Sequence, residues 1–185
     1  MWHDISIFGK KLVDRGLVES RFGNISIRIA DKMLITKSGS SLDEITEKSI
    51  VELDIDKPSS LDDIASSETI VHRTIYQKTP ALAIIHAHPP FAVIESLLVE
   101  NDMIIPLNVE GQYFLHEIPV VRGAAGTEEL ARINAEALLG HKSIIVFSHG
   151  TFSIGKTLEE AYFVTEQTEH SCKLKYYYDL ARKQP

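Results

Sequence analysis

His86 and His88 lie two residues apart in Ala83-Ile84-Ile85-His86-Ala87-His88-Pro89. In a strand, residues at that spacing point to one face, so two imidazoles would sit together where an apolar strand ends. Two neutral imidazoles make half of a tetrahedral zinc site, and a catalytic site needs a third protein ligand and an open position. His149 is a candidate third, at the end of a second apolar run, Ile144-Ile145-Val146-Phe147-Ser148-His149-Gly150. Gly150 then lets the backbone turn or approach closely.

Three shorter motifs fall where elements meet. Gly23-Asn24 opens a strand, Thr36-Lys37-Ser38-Gly39 leads into a loop, and Ser66-Ser67-Glu68 opens a helix. Turns, loops and helix starts use these residues routinely. Glycine amides, serine hydroxyls and a helix N-terminus are also the donors of an anion site.

The elements that must carry these residues can be read from periodicity. The first helix closes at Asp14-Arg15-Gly16, with Gly16 ending it. Ile25, Ile27 and Ile29 alternate with Ser26 and Arg28, the pattern of a half-buried strand. Further strands are expected at 33–36 and 50–53, with an exposed connection over 54–65 and a helix over 67–78. The strand ending at His88 follows, and Pro89-Pro90 opens the next helix. Strands near 104–105 and at 118–121 precede a helix capped by Thr127 that runs to Gly140, with Glu128 and Glu129 at its positive end. Strands at 143–147 and 151–154 flank His149-Gly150. Thr157-Leu158-Glu159-Glu160 is a capping box for the long last helix. Strands on tight turns, mixed with helices, imply an α/β fold with a mixed, mainly antiparallel sheet and helices on its faces.

Composition narrows the partners. The net charge of -7 and pI near 5.6 disfavour nucleic acid and membrane surfaces, which want a basic face. No apolar run reaches the length of a membrane span, and the N-terminal segment lacks the pattern of a signal peptide. The single Cys172 allows no intramolecular disulfide and no cysteine zinc cluster, and a packed thiol is its expected state. A cytoplasmic single domain over residues 1–185 is the expectation.

In chain order, Gly23-Asn24, Thr36-Lys37-Ser38-Gly39, Ser66-Ser67-Glu68, His86-Ala87-His88 and Ser148-His149-Gly150 resemble the class II aldolase/adducin-head family, and within it the L-fuculose-1-phosphate aldolase branch. The resemblance covers nearly the whole chain. It implies a three-layer α/β/α sandwich, a homotetramer with active sites at subunit interfaces, and zinc or another divalent cation, one per subunit. It also implies cleavage of a ketose 1-phosphate to dihydroxyacetone phosphate and an aldehyde. Carried onto this chain, it makes His86, His88 and His149 metal ligands and Glu68 the acid/base carboxylate. Asn24, Ser38, Gly39, Ser66 and Ser67 become the positions for the substrate phosphate.

The chain departs from the branch in one respect that bears on proton transfer. The aldolases carry a tyrosine after the strand that matches 118–121, whereas Val121-Arg122-Gly123-Ala124-Ala125-Gly126 has none. Tyr113 is nearby but earlier in the order. Glu110 brings in a second reading, a methylthioribulose-1-phosphate dehydratase-like lyase that uses a glutamate from this region. A third reading is a non-catalytic adducin-like interaction module, against which the retained histidines and Glu68 argue. His72, four residues after Glu68, shares its helix face, and a structural role is expected for it. His3, His116, His141 and His170 match no motif and are expected at the surface or in the core.

Overall fold

Ile25, Ser26, Ile27 and Arg28 do alternate in a strand, yet both faces of that strand are covered in the computed structural model, which describes residues 1–183. Helices and strands follow one another as α1 (Trp2–Asp14), β1 (Asn24–Ile29), β2 (Lys32–Thr36), β3 (Ile50–Asp54), α2 (Thr69–Lys78) and β4 (Ala83–Ala87). Next come α3 (Pro90–Leu98), β5 (Met103–Ile104), α4 (Val109–Phe114), β6 (Ile118–Val121) and α5 (Glu128–Ala137). The chain closes with β7 (Ser143–Val146), β8 (Gly150–Gly155) and α6 (Leu158–Arg182).

Among the described residues the strands form one sheet in the order β3-β2-β1-β4-β8-β7-β6-β5. β6 and β7 run parallel, and the other neighbours run antiparallel. Side chains on each strand alternate between two helical layers. Ile84, Ile144, Val146 and Phe152 pack under α2 and α5 with Val71, Ile75, Leu130 and Ala135. Ile25, Ala83, Ile85 and Ala87 face α1 and the start of α6, and Ile118, Val120 and Ile145 face α3 and the middle of α6. The result is the mixed, mainly antiparallel α/β/α sandwich expected from the strand and helix order. Each fully buried aliphatic side chain contributes about 1.5–3 kcal/mol to that packing.

The helix α1 ends as its sequence implies. Gly16 takes φ +66, and the Gly16 and Leu17 amides donate to the Val13 and Leu12 carbonyls at 2.9 Å each, the bond pair of a Schellman motif. Other segments differ from expectation. Residues 54–65 are mostly exposed, but Ile55 is buried and Ser60–Ile64 form a 3-10 turn. That turn is held by Asp62, whose carboxylate accepts from Arg73 of α2 at 2.9 and 3.0 Å. The capping box at Thr157 is half made. Thr157 Oγ1 accepts from the Glu160 amide at 3.1 Å, while the Glu160 carboxylate reaches past it to the Lys156 amide at 2.8 Å. The short helix α4 has no clear signal in the sequence. Its six residues carry only one buried position, Gly111, too little apolar periodicity to read.

The polar face of β1 is the larger surprise. Ser26 is fully buried because α2 lies on it, and Ser26 Oγ is 2.7 Å from both His72 Nδ1 and the Tyr76 hydroxyl. A half-buried strand is the usual source of this alternation, but an interior strand produces it too when the covering helix supplies polar partners. Cys172 is fully buried, as expected of a packed thiol.

Candidate active site

Three strands bring the histidines together. Asn24 at the start of β1 lies directly across from His86 on β4, and His86 lies across from Phe152 on β8. His88 follows the end of β4, and its Nε2 is 3.0 Å from His86 Nε2. His149 stands in the tight connection between β7 and β8, closed by its amide donating to the Val146 carbonyl at 3.0 Å. The three imidazoles each offer a ligand nitrogen, all within 4.8 Å of one another.

Backbone demands explain two neighbouring residues. Of the two roles the sequence allows Gly150, turning and close approach, the positive φ of the His149 turn falls on Ser148, at +59. A serine there costs about 1–2 kcal/mol. Gly150 is needed for space instead: a Cβ would lie 2.3 Å from the Ala87 carbonyl oxygen and 2.7 Å from His88 Cδ2. Gly23 takes φ +72, and a Cβ there would lie 2.6 Å from the His86 carbonyl oxygen.

The three rings are neutral. Burial pushes the His86 imidazolium well below its usual range, helped by the neighbouring His88 and His149. Burial likewise takes His88 down to about 4 and lowers His149. His86 Nδ1 is 2.9 Å from the Thr151 carbonyl, which can only accept, so the proton sits on Nδ1 and Nε2 presents its lone pair. Three neutral imidazoles suit a divalent cation of the zinc type. Tetrahedral zinc at about 2.0–2.1 Å from nitrogen needs ligand atoms about 3.3 Å apart; the His86–His88 pair stands at 3.0 Å and the whole triad within 4.8 Å, so the rings must draw together around a cation. His149 Nδ1 is buried without a hydrogen-bond partner, an orphan in keeping with a site that a ligand completes.

These depressed histidines have a consequence for the metal-free protein. A histidine with a lowered folded-state pKa leaves stability intact above its unfolded value near 6.5 and removes it as pH falls toward the folded value. The melting temperature should therefore hold at pH 7–8 and drop from about pH 6.5 toward about 4, the value for His88. A flat melting temperature between pH 7 and pH 4.5, followed by calorimetry, would contradict neutral burial of the triad.

Around the histidines lies a cleft of about 190 Å³. Asn24, Ser38, Gly39, Ser66, Ser67 and Glu68 all line it together with His86, His88 and His149. Two loops converge there through a bridge between Lys37 and Ala65, with the Ser66 amide donating to the Thr36 carbonyl at 3.1 Å and the Ser38 amide to the Ile64 carbonyl at 3.2 Å. Glu68 is the residue that starts α2, where helix carboxylates often cap amides, but its side chain makes no capping bond. It is 6% exposed, its Oε2 has no partner, and burial raises its pKa. Asn24 Oδ1 is orphaned in the same way. The cleft thus collects unpaired acceptors, serine hydroxyls and the positive end of α2.

Arg21, Phe22 and Lys37 line the same cleft. Arg21 and Phe22 immediately precede Gly23-Asn24, so the motif could have been extended by two residues. Neither Arg21 nor Lys37 makes an ion pair among the described residues, which leaves both charges free for an anion. A larger hollow of about 720 Å³ adjoins the cleft across Ser38, Ser66 and Ser67, but its arginine, Arg73, is already taken by Asp62.

Glu110 and Tyr113 are not brought to this cleft within the chain. They sit on α4, which packs beside α6. Tyr113 is 72% exposed, and the Glu110 carboxylate is 3.5 Å from the Asn108 amide nitrogen. His72 is fully buried on the inner face of α2. His3 stacks on Trp2, His141 bonds the Ala137 carbonyl and Glu117, and His116 and His170 are exposed.

Comparison with known proteins adds the family context. The family described as Class II Aldolase and Adducin N-terminal domain matches residues 4–176. The L-fuculose phosphate aldolase of Methanocaldococcus jannaschii is 35% identical over 167 residues, 89% of this chain and 90% of that protein. The 3-oxo-tetronate 4-phosphate decarboxylase of Haemophilus influenzae is 28% identical, over 90% of this chain and 82% of that one. The crystal structure of L-fuculose-1-phosphate aldolase from Thermus thermophilus superposes with a TM-score of 0.94 at 33% identity, covering 100% of this chain and 96% of that one.

Proposed function

The chain belongs to the class II aldolase and adducin N-terminal domain family, and from that premise we propose that it is a zinc-dependent aldolase. Its reaction is reversible cleavage of a ketose 1-phosphate, such as L-fuculose 1-phosphate, to dihydroxyacetone phosphate and an aldehyde. The observation that carries this reading is the convergence of three neutral imidazoles and one buried, unpaired carboxylate on a single cleft.

His86, His88 and His149 hold the cation. When bound, zinc supplies Lewis acidity that stabilises negative charge developing on the substrate oxygens. Cleavage breaks the C3–C4 bond and leaves the electron pair with the C3 fragment as an enediolate. Glu68 delivers a proton to C3 in this direction and removes it in the reverse one. Burial raises its pKa, which suits a group that must both hold and release a proton near neutral pH. The C4 hydroxyl proton must leave as the aldehyde forms, and among the described residues the cleft has no tyrosine to take it.

Asn24, Ser38, Gly39, Ser66 and Ser67 bind the phosphate, with the N-terminus of α2 behind them. Ser66→Ala should raise KM for a phosphorylated ketose by about tenfold and leave an unphosphorylated analogue nearly unchanged, since a hydrogen bond to a charged group is worth about 1.5–3 kcal/mol. Equal effects on both substrates would sink this assignment. Incubation of the metal-loaded protein with ketose 1-phosphates, followed by dihydroxyacetone phosphate detection, tests the reaction itself.

A homotetramer with active sites at subunit interfaces belongs to the same proposal. Ile105, Leu107, Val109, Tyr113 and Phe114 form an exposed apolar run, Val109 at 77%, of the kind that marks protein contacts. Such an interface is the route by which Tyr113 or Glu110 of one copy would reach the cleft of another. Light scattering from a 20.7 kDa particle at working concentration would exclude it. The location is cytoplasmic in this reading, and among the described residues no helix is long and apolar enough to cross a membrane.

Arg21 favours a second reading. An unpaired guanidinium in the cleft suits a substrate that carries a carboxylate as well as a phosphate, as in decarboxylation of a 3-oxo acid phosphate. That reaction also breaks a carbon–carbon bond beside a carbonyl, so the same cation and cleft would serve it.

A further inference from the structure

A chain of five buried side chains runs from α2 to His86 and includes it. Tyr76, Ser26, His72, Phe152 and His86 are each no more than 1% exposed. The Tyr76 hydroxyl and His72 Nδ1 both lie 2.7 Å from Ser26 Oγ. His72 and Phe152 form a T-shaped pair, with centroids 5.8 Å apart and planes at 70°. Phe152 in turn lies flat against His86, at 4.3 Å and 19°.

One arrangement of protons gives both hydroxyls an acceptor. Tyr76 can satisfy its hydroxyl by donating to Ser26, which then donates to His72 Nδ1. The His72 proton is thereby placed on Nε2, and that atom is buried with no oxygen or nitrogen partner. The Phe152 ring packs beside the imidazole in a T-shaped arrangement, a favourable geometry for two aromatic rings. A histidine held neutral by complete burial with an orphaned nitrogen is a costly core residue.

We infer that His72 and Phe152 are positioning residues that fix the plane of the His86 imidazole for the cation. The proposal rests on the metal reading above. Two constraints are needed to aim an imidazole lone pair. The bond from Nδ1 to the Thr151 carbonyl, at 2.9 Å, sets rotation within the ring plane. The face of Phe152 sets the tilt of that plane. Thr151 and Phe152 are consecutive on β8, which begins one residue after His149, so one hairpin supplies a ligand and the seat for another. His72 locks Phe152 from α2, the helix that Glu68 starts, which ties the carboxylate to the cation in one rigid unit. Partners behind a metal ligand typically cost 10–100-fold in metal affinity when lost.

Zinc affinity measured by chelator competition, with the cobalt(II) absorption spectrum as a readout of ligand geometry, tests this. Phe152→Leu should weaken zinc binding by about tenfold and alter the cobalt bands. His72→Leu keeps the apolar volume and should weaken zinc by a few fold and alter the cobalt bands, while the metal-free melting temperature falls because the buried Ser26 hydroxyl loses its acceptor. Leu130→Ala, on α5 in the same core layer as Phe152, should lower the melting temperature and leave zinc affinity within twofold. Unchanged zinc affinity and cobalt spectra in both Phe152→Leu and His72→Leu would overturn the inference with the metal reading intact. A wild-type protein with no zinc affinity would overturn both.

Discussion

Replacing Glu68 by glutamine is expected to lower kcat for ketose 1-phosphate cleavage by roughly two to four orders of magnitude while zinc content stays full. Glutamine keeps the shape of the side chain but can neither accept nor deliver a proton near neutral pH. The substitution should also stabilise the metal-free protein. A carboxyl whose folded-state pKa is raised keeps full stability below its unfolded value and loses stability as pH rises through the folded one. Burial raises the Glu68 pKa, so the wild-type carboxylate strains the fold at neutral pH and glutamine removes that strain. The melting temperature of Glu68→Gln should therefore exceed the wild-type value at pH 8, with the gap closing toward pH 4. Glu110→Gln should be mild by comparison, because Glu110 lies outside the cleft of its own chain and, brought in by a neighbouring copy, would serve only proton transfer at the aldehyde. A reversed ranking, with Glu110 indispensable and no dihydroxyacetone phosphate formed, would favour the dehydratase reading.

Alanine at His149 should abolish zinc retention and activity together. One of three protein ligands is lost, and the penalty should exceed the roughly 10–100-fold typical of groups that merely support a ligand. His86→Ala should act in the same direction but also destabilise the fold, since it empties a fully buried position beside Phe152. His149 is only partly buried, which makes it the cleaner probe. Full metal content and full activity in His149→Ala would falsify the triad assignment.

The histidines are legible because their chemistry follows from spacing. An apolar run ending in His-x-His can be read as a strand end with two rings on one face, and β4 has that form. The order of the short motifs carries the rest of the cleft, since Asn24, Ser38, Gly39, Ser66, Ser67 and Glu68 gather around the triad. What stays hidden depends on contacts across the sequence. Nothing in Asn24-Ile25-Ser26-Ile27 says that a helix 46 residues later will cover Ser26 with His72. Arg21 and Phe22 reach the cleft only because the loop before β1 folds back over β4, where the Phe22 and His88 rings come within 5.9 Å. The short α4 has a single buried residue and makes sense only beside α6. Gly150 reads from the sequence as a point of close approach or turning, but only the register of β4 and β8 separates the two roles.

The most direct test of the central claim is product formation from L-fuculose 1-phosphate by zinc-loaded and chelator-treated protein, followed by enzymatic detection of dihydroxyacetone phosphate. The account predicts that the zinc-loaded protein releases dihydroxyacetone phosphate and an aldehyde in equal amounts, that chelation stops the release, and that zinc restores it. Absence of dihydroxyacetone phosphate across a panel of ketose 1-phosphates, alongside carbon dioxide from a 3-oxo acid phosphate or loss of water from a ribulose 1-phosphate, would contradict it.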